Sequence, residues 1–238
     1  MIKLGTQNIS ALRLGGQEIK KAYLGETLVL GAEKKPSRLP EGYTEVEYVH
    51  VDSQSGFDTG VQGVDYYGTQ IMMDIEAETY SGSARQYIIY KESWFYVNTY
   101  YRLLFWRESE TALKDWHYTT SSITRTASIS NKRLTIGIDF KAGNFIVGDT
   151  TFPLTRTNFY TYPSEKNSIY LFSGTFTSQY ESVPCKLYSA QIKHRGSTLT
   201  RDFVPCINPS GAVGLYDLVG AKFYGNAGTG TLTAGPAV

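Results

Sequence analysis

The chain has 238 residues, of which 41% are hydrophobic and 14% aromatic, enough apolar side chain to bury a substantial core. Its 23 Lys and Arg residues stand against 22 Asp and Glu residues, a formal net charge of +1, and the basic residues form no cluster. This composition excludes an intrinsically disordered chain and gives no electrostatic basis for binding phosphate backbones, so we expect no nucleic-acid partner.

The sequence has neither a recognisable signal peptide nor an apolar run of membrane-spanning length. We therefore expect a soluble protein that is made in a cytoplasm and has no membrane partner. Cys185 and Cys206 are the only cysteines, and they lack the spacing of a CxxC metal site. We interpret both as buried thiols, with a disulfide between them as the alternative.

A ten-residue repeat occupies the first 31 residues, with Leu-Gly at positions 4, 14 and 24 and again, after a shorter step, at position 30. Because Gly permits chain reversal and apolar residues alternate with polar ones, this pattern predicts a meander of very short strands with one apolar face. The predicted strands are Ile2–Leu4, Ile9–Leu14, Ile19–Leu24 and Thr27–Leu30.

A sheet of thirty residues is too small to bury its own apolar face. We therefore predict that residues 1–31 form an assembly or attachment module, covered either by another protein or by identical meanders in a homo-oligomer. Packing of this sheet on the body of the same chain is the alternative. The predicted interface residues are Leu12, Leu14, Leu24, Leu28 and Leu30.

The charged segment 32–40 contains two prolines and no periodicity, which predicts a linker ahead of a body that covers residues 41–238. Short period-two runs broken by turn residues, rich in Tyr and Phe, predict an all-β body built as a two-sheet antiparallel sandwich. Predicted strands are Glu45–Val49, Gln70–Glu78, Gln86–Tyr90, Trp94–Asn98, Tyr101–Arg107, Arg133–Asp139, Asn144–Val147, Ser168–Phe172, Cys185–His194, Thr198–Pro205, Val213–Asp217 and Lys222–Tyr224.

Three carboxylates alternate along one predicted strand at Asp74, Glu76 and Glu78, so they share a face. Glycosidases use a pair of carboxylates, one with a raised pKa that acts as the acid and one that stays ionised. The order of acids here differs from the Glu-x-Asp-x-Glu pattern expected of sandwich-fold glycosidases. A solvated strand face opposite a core face is the interpretation that alternation alone favours.

Residues 91–122 are rich in aromatic side chains interleaved with charged ones. Exposed rings can stack on the apolar faces of sugars while polar neighbours bind hydroxyl groups, so this segment predicts a glycan or protein contact surface. Packing in a β core is the alternative use of the same rings. The candidate binding residues are Trp94, Tyr96, Tyr100, Trp106, Trp116 and Tyr118.

The histidines and turn acids give no metal motif. His50, His117 and His194 are far apart in the sequence, and scattered Asp residues near turns form no Ca²⁺-loop pattern. We assign no metal and no cofactor, while Ca²⁺ stays possible without support from a motif.

Several stretches resemble a known family: 38–61, 131–152 and above all 185–235, where RDFVPCINPSG is followed by GLYDLV and FYGNAGTG. They are similar to the concanavalin A-like, laminin-G-like jelly-roll domains of structural proteins from phages and prophages. The N-terminal Leu-Gly segment is similar to segments that precede such domains in phage tail and fibre-like proteins. The run SQSGFDTG departs from the pattern expected ahead of Asp-Thr-Gly.

The resemblance implies a jelly-roll sandwich in a non-enzymatic virion protein, of tail or fibre-like type, that acts in adhesion or receptor binding. It implies contact with a glycan or a host surface protein through the sandwich, and attachment to a virion protein or to itself through residues 1–31. A purely structural or decorative virion protein is the alternative, and a glycoside hydrolase using Asp74, Glu76 or Glu78 is a third hypothesis.

Overall fold

The computed structural model divides the chain into two compact units, Met1–Pro36 and Ser37–Val238. It describes residues 38–62, 68–80, 85–95, 99–117, 123–154, 168–172, 180–194 and 198–238, together with residues 3–4, 7–8, 12–14, 17–19, 22–24 and 27–30 of the first unit. Every regular element in these ranges is a β-strand, which confirms the all-β prediction. Within the same ranges, no helix is long and apolar enough to cross a lipid bilayer.

The described part of the first unit consists of short antiparallel hairpins. Strand β1 (Lys3–Leu4) pairs with β2 (Gln7–Asn8), β3 (Leu12–Leu14) with β4 (Gln17–Ile19), and β5 (Ala22–Leu24) with β6 (Thr27–Leu30). One hairpin therefore corresponds to one ten-residue period.

This arrangement corrects the predicted strand Ile19–Leu24, whereas the predicted strand Ile9–Leu14 is described only at Leu12–Leu14, which is a strand. Residue Ile19 ends one hairpin, whereas Leu24 belongs to the next. The physical reason is the two-residue connection that begins with Gly after Leu14 and Leu24, because such a connection lets each strand pair at once with the segment that follows it.

The second unit is built from short and medium-length strands. In chain order they are β7 (Thr44–Glu45), β8 (Val49–Val51), β9 (Gly56–Gln62), β10 (Gln70–Ala77), β11 (Arg85–Phe95), β12 (Thr99–Ser109), β13 (Ala112–His117), β14 (Ile123–Thr126), β15 (Arg133–Asp139), β16 (Asn144–Val147), β17 (Thr150–Pro153), β18 (Ser168–Phe172), β19 (Tyr180–Ser182), β20 (Cys185–His194), β21 (Thr198–Ile207), β22 (Val213–Asp217), β23 (Lys222–Tyr224) and β24 (Thr233–Ala234).

The larger sheet has the strand order β17-β16-β15-β10-β20-β21-β22-β23 along its main path. Strand β20 pairs with β21 through Ala190–His194 and with β8 through Cys185–Leu187, so β8 occupies the edge of β20 that β21 leaves. Strands β7 and β24 pair with β21 and β8 respectively, which ties both ends of this unit's chain into one sheet.

The smaller sheet has the order β14-β13-β12-β11-β18-β9. Its pairs are antiparallel except for a three-residue parallel contact between β19 and β11. The hairpin of β11 and β12 is its longest element and extends from Arg85 to Ser109.

The two sheets pack face to face as a sandwich. Apolar residues of both sheets, such as Met73 and Ile138 from the larger and Leu103 and Leu171 from the smaller, form one buried cluster. A further cluster lies where Leu39 covers Val204 and Tyr216, so ordered packing in this unit begins ahead of Glu41.

Candidate functional site

The outer face of the smaller sheet, on the side away from the inter-sheet core, carries a second set of apolar side chains. Three of them are 2–4% exposed: Tyr87, Leu104 and Trp106. Tyr90 and Trp116 pack against these three while remaining partly exposed. Together with Tyr170, whose ring centroid lies 6.4 Å from that of Tyr90, these residues form what we name the outer aromatic cluster.

A β-bulge in β11 places both Tyr87 and Tyr90 on the outer face of the smaller sheet. The pairing register with β12 shifts between Tyr87 and Ile89, and both Ile88 and Ile89 are fully buried in the inter-sheet core. If the side chains simply alternated after Tyr87, Ile89 would lie on the outer face and Tyr90 in the core. The extra residue of the bulge instead places Ile89 in the core and Tyr90 on the outer face. The bulge therefore puts Tyr87 and Tyr90 on one surface.

One row of the cluster crosses five neighbouring strands in register. Asp58 on β9 is opposite Tyr170 on β18, Tyr170 is opposite Tyr90, Tyr90 is opposite Leu104, and Leu104 is opposite Trp116 on β13. Because neighbouring strands lie about 4.8 Å apart, the row is about 19 Å long. Its three rings are all partly exposed, which makes the row an aromatic surface that a ligand can reach.

A second row lies beside the first and forms its buried support. Tyr87 is opposite Trp106, and Trp106 is opposite Lys114. The ring of Tyr87 contacts those of Tyr90 and Trp106 at centroid distances of 5.4 and 5.9 Å. These contacts pack Tyr90 against buried rings, so its ring would lose little side-chain entropy if a ligand bound to it.

Charged groups border the second row. The indole N–H of Trp106 donates to Oε2 of Glu108 at 2.5 Å, and Nζ of Lys114 lies 3.2 Å from Oε1 of the same carboxylate. Burial alone would raise the pKa of Glu108, but these two hydrogen bonds and the charges of Lys114 and Arg85 hold it below its ordinary value. The guanidinium carbon of Arg85 lies 5.8 Å from the centroid of the Trp106 ring.

Asp58 and Tyr170 form the opposite border. Partial burial, followed by the charge of Asp58 and a hydrogen bond to it, raises the pKa of the Tyr170 phenol. The phenol therefore stays protonated and polar at neutral pH, while Oδ1 of Asp58 accepts the backbone N–H of Gly60.

The acidic triplet lies on the outer face of the larger sheet. Its first member, Asp74, accepts hydrogen bonds from Nε and Nη2 of Arg133, the shortest at 2.8 Å. The Arg133 guanidinium stacks on the ring of Tyr188, with 3.7 Å between its carbon and the ring centroid. The carboxylate of Asp74 is therefore paired with Arg133, and stacking on Tyr188 fixes the position of the Arg133 guanidinium.

The other two members of the triplet are engaged in the same way. Glu76 accepts hydrogen bonds from Nζ of Lys186 and from the hydroxyl of Tyr188, both at 2.9 Å, and these bonds lower the pKa of Glu76. Oε1 of Glu78 lies 2.8 Å from Nε2 of His50. A lowered pKa is the opposite of what a general acid requires, so Glu76 is unsuited to that role at neutral pH.

The structure brings two of the six predicted binding residues, Trp106 and Trp116, into the outer aromatic cluster. Trp94 and Tyr100 are opposite each other in the β11–β12 hairpin, although their side chains are not described. The remaining two, Tyr96 and Tyr118, lie outside the described residues.

Sequence reasoning missed Tyr87, Tyr90 and Tyr170 as members of the cluster. The first two lie before the aromatic-rich segment and the third is 54 residues beyond Trp116, so proximity in the sequence gives no signal for them. A search for Tyr residues on predicted strands would have found Tyr170. Its place beside Tyr90, however, depends on pairing between strands that are distant in the sequence.

The predicted interface leucines lie on described strands of the first unit, β3, β5 and β6, but their side chains are outside what the structure describes. Their role stays a prediction. Cys185 and Cys206 are both buried free thiols, as predicted, and burial raises the pKa of each.

Among the described residues, no group of three or more His, Cys, Asp and Glu side chains is arranged to hold a metal ion. Comparison of the chain with protein-family models, with curated proteins and with solved structures finds no match.

Proposed function

We propose that this chain is a non-enzymatic phage adhesion or receptor-binding protein of the virion, of tail or fibre-like type, and that its outer aromatic cluster binds a saccharide on a host surface. The observation that carries the proposal is the row of partly exposed rings, with Tyr170 on β18, Tyr90 on β11 and, beyond β12, Trp116 on β13. The virion assignment rests on the resemblance of the sequence to jelly-roll domains of phage structural proteins.

The physical basis is the match between a row of rings and an oligosaccharide. Sugar rings have apolar C–H faces that stack on aromatic side chains, and hydroxyl rims that need hydrogen-bond partners. Tyr170 and Tyr90 lie on adjacent strands about 4.8 Å apart, a spacing comparable with the size of one pyranose unit, and Trp116 lies two strands beyond Tyr90. The phenol of Tyr170 and the carboxylate of Asp58 supply hydrogen-bonding groups at one border.

The N-terminal hairpins suit an attachment role. Each hairpin has strands of only two to four residues, and an isolated hairpin of this size is marginally stable in water. Assembly with a second copy or with another virion protein would stabilise it. A homo-oligomer would also multiply weak saccharide contacts by raising their effective concentration.

Binding is better supported than hydrolysis. Asp74 and Glu76 are each held by a cation, and Glu76 has a lowered pKa. The outer aromatic cluster lies on the other sheet, so the carboxylate pair that a glycosidase needs is not placed beside the aromatic row.

A structural or decorative virion protein is the second candidate. The observation that favours it is the burial of Tyr87 and Trp106, each 2% exposed, because buried rings stabilise a fold without binding anything. The two candidates differ in what they require of the partly exposed rings, which only the adhesion proposal uses.

A glycan array probed with the full chain tests the proposal. We expect binding to cell-wall or mucin glycans that falls about tenfold or more in Trp116→Ala and in Tyr90→Ala. Tyr188→Ala is the matched control, because it removes a partly exposed ring from the outer face of the other sheet. An array without signals at high protein concentration would favour the structural candidate.

The attachment role has its own test. Sedimentation of the full chain and of a chain that begins at Ser37, the start of the second unit, compares their masses in solution. We expect an oligomer for the full chain and a monomer for the shortened one. A monomer in both cases would contradict self-assembly through the hairpins.

A further inference from the structure

Two cations border the outer aromatic cluster at the end where Trp106 lies. Arg85 precedes Tyr87 by two residues on β11, and Lys114 is opposite Trp106 on β13. Their side chains are 48% and 26% exposed. Both are paired with Glu108, so this one carboxylate is shared between two positive charges.

The guanidinium of Arg85 carries more N–H donors than its contacts with described residues use. Its Nε lies 3.8 Å from Oε2 of Glu108, beyond hydrogen-bonding distance, and its carbon lies 5.8 Å from the centroid of the Trp106 ring. Among the described residues these are its recorded contacts, whereas a guanidinium carries five N–H donors in a planar fork. Within the described part of the chain, most of the donors of this fork therefore have no protein partner and could bind a ligand beside the cluster.

We propose that the saccharide bound at this face is acidic and that Arg85 binds a sugar carboxylate. This inference rests on the proposed function, which it narrows to one class of ligand. A carboxylate can accept two parallel hydrogen bonds from a guanidinium, and Lys114 adds attraction at longer range. Asp58 lies on β9 at the opposite border of the cluster, so the border with Arg85 is the one that suits a negative charge.

The chain contains a matched control for this arginine. Arg133, on the outer face of the other sheet, is 51% exposed, pairs with Asp74 and stacks on Tyr188. Arg133→Gln therefore removes the same charge from a similarly exposed side chain, together with a closer ion pair and a closer ring contact than those of Arg85. Any difference in binding between the two variants reports on position and not on net charge.

The experiment uses immobilised uronic-acid oligosaccharides, each beside its carboxyl-reduced and therefore neutral counterpart. We expect the full chain to bind the acidic form of at least one pair about tenfold more tightly than the neutral form. Arg85→Gln should abolish this preference and Arg133→Gln should preserve it. The preference should also shrink between 0.05 and about 0.5 M salt, because exposed charges are screened.

Other outcomes overturn the inference in distinguishable ways. Equal binding of acidic and neutral forms, or binding of neutral array glycans alone, would refute the acidic ligand. A preference that survives Arg85→Gln would refute the role of Arg85. Each of these results leaves saccharide binding standing. Failure to bind any saccharide, on this panel and on the wider array, would refute the proposed function together with the inference.

Discussion

The rings of Phe105 and Phe145 meet edge to face across the sandwich, with centroids 4.2 Å apart and planes at 89°. Phe105 belongs to the smaller sheet and Phe145 to the larger one, and both are fully buried. This contact joins the two sheets directly, because each ring packs into the core against the ring from the opposite sheet.

Replacing Phe145 with Ala should lower the free energy of unfolding by about 3–5 kcal/mol, since it removes a buried ring and leaves a cavity between the sheets. Urea unfolding followed by fluorescence measures the loss. Phe145→Leu is the control and should cost about 1.5 kcal/mol or less, because most of the volume remains. Equal and small losses in both variants would show that the sheets are not packed at this point.

Asp217→Ala should destabilise the second unit by about 2–4 kcal/mol. The fully buried carboxylate accepts backbone N–H groups from Asp202, Val219 and Gly220, and the turn it caps includes Ala221 at a φ of 49°. Without the carboxylate these donors lose their partner.

Thermal unfolding of Asp217→Ala beside Asp149→Ala checks this effect. Asp149 is exposed at a turn, so its replacement should change stability by about 0.5 kcal/mol or less. If Asp217→Ala and Asp149→Ala had the same melting temperature, Asp217 would not act as a cap of this turn.

Glu76 should contribute to stability at neutral pH and lose that contribution in acid. Hydrogen bonds from Lys186 and Tyr188 lower the pKa of Glu76 below its ordinary value of 4.5. A carboxyl group whose pKa is lower in the folded state stabilises the fold above the unfolded pKa, and this contribution disappears as pH falls through the folded pKa. Because the pair is partly exposed, the contribution is small.

Unfolding free energies of the wild-type chain and of Glu76→Gln, measured between pH 7 and pH 3, test this dependence. The difference between them should be largest near pH 7 and should close below about pH 4.5. Glu41→Gln, which changes an exposed carboxylate outside the strands, is the control for charge alone. A difference that grows in acid would have the wrong sign for this account.

Much of the fold follows from local patterns in the sequence. The predicted bounds of Arg133–Asp139, Asn144–Val147, Ser168–Phe172, Cys185–His194 and Val213–Asp217 are confirmed, because each run is rich in strand-forming residues and is bounded by turn residues. The predicted strand Gln86–Tyr90 and the described part of the predicted strand Trp94–Asn98, residues 94 and 95, lie on one strand, Arg85–Phe95. The polar residues Lys91 and Glu92 suggested a break between two strands. Their inclusion in one strand depends on pairing with β12, which the local sequence does not show.

The candidate site was less accessible to sequence reasoning. Trp106 and Trp116 stand out in an aromatic-rich segment, but alternation alone cannot show that a bulge at Ile88 and Ile89 returns Tyr90 to the outer face. Tyr170 joins the row through a pairing between strands that are far apart in the chain. Such placements are decided by tertiary structure.

The most direct test of saccharide binding at the outer aromatic cluster is fluorine NMR of the chain labelled with 5-fluorotryptophan. The chain has three Trp residues, and Trp116→Phe assigns the resonance of the one in the exposed row. On titration with the strongest ligand from the array, we predict that the Trp116 resonance shifts in a saturable way. A saturated complex in which that resonance does not move would contradict the account.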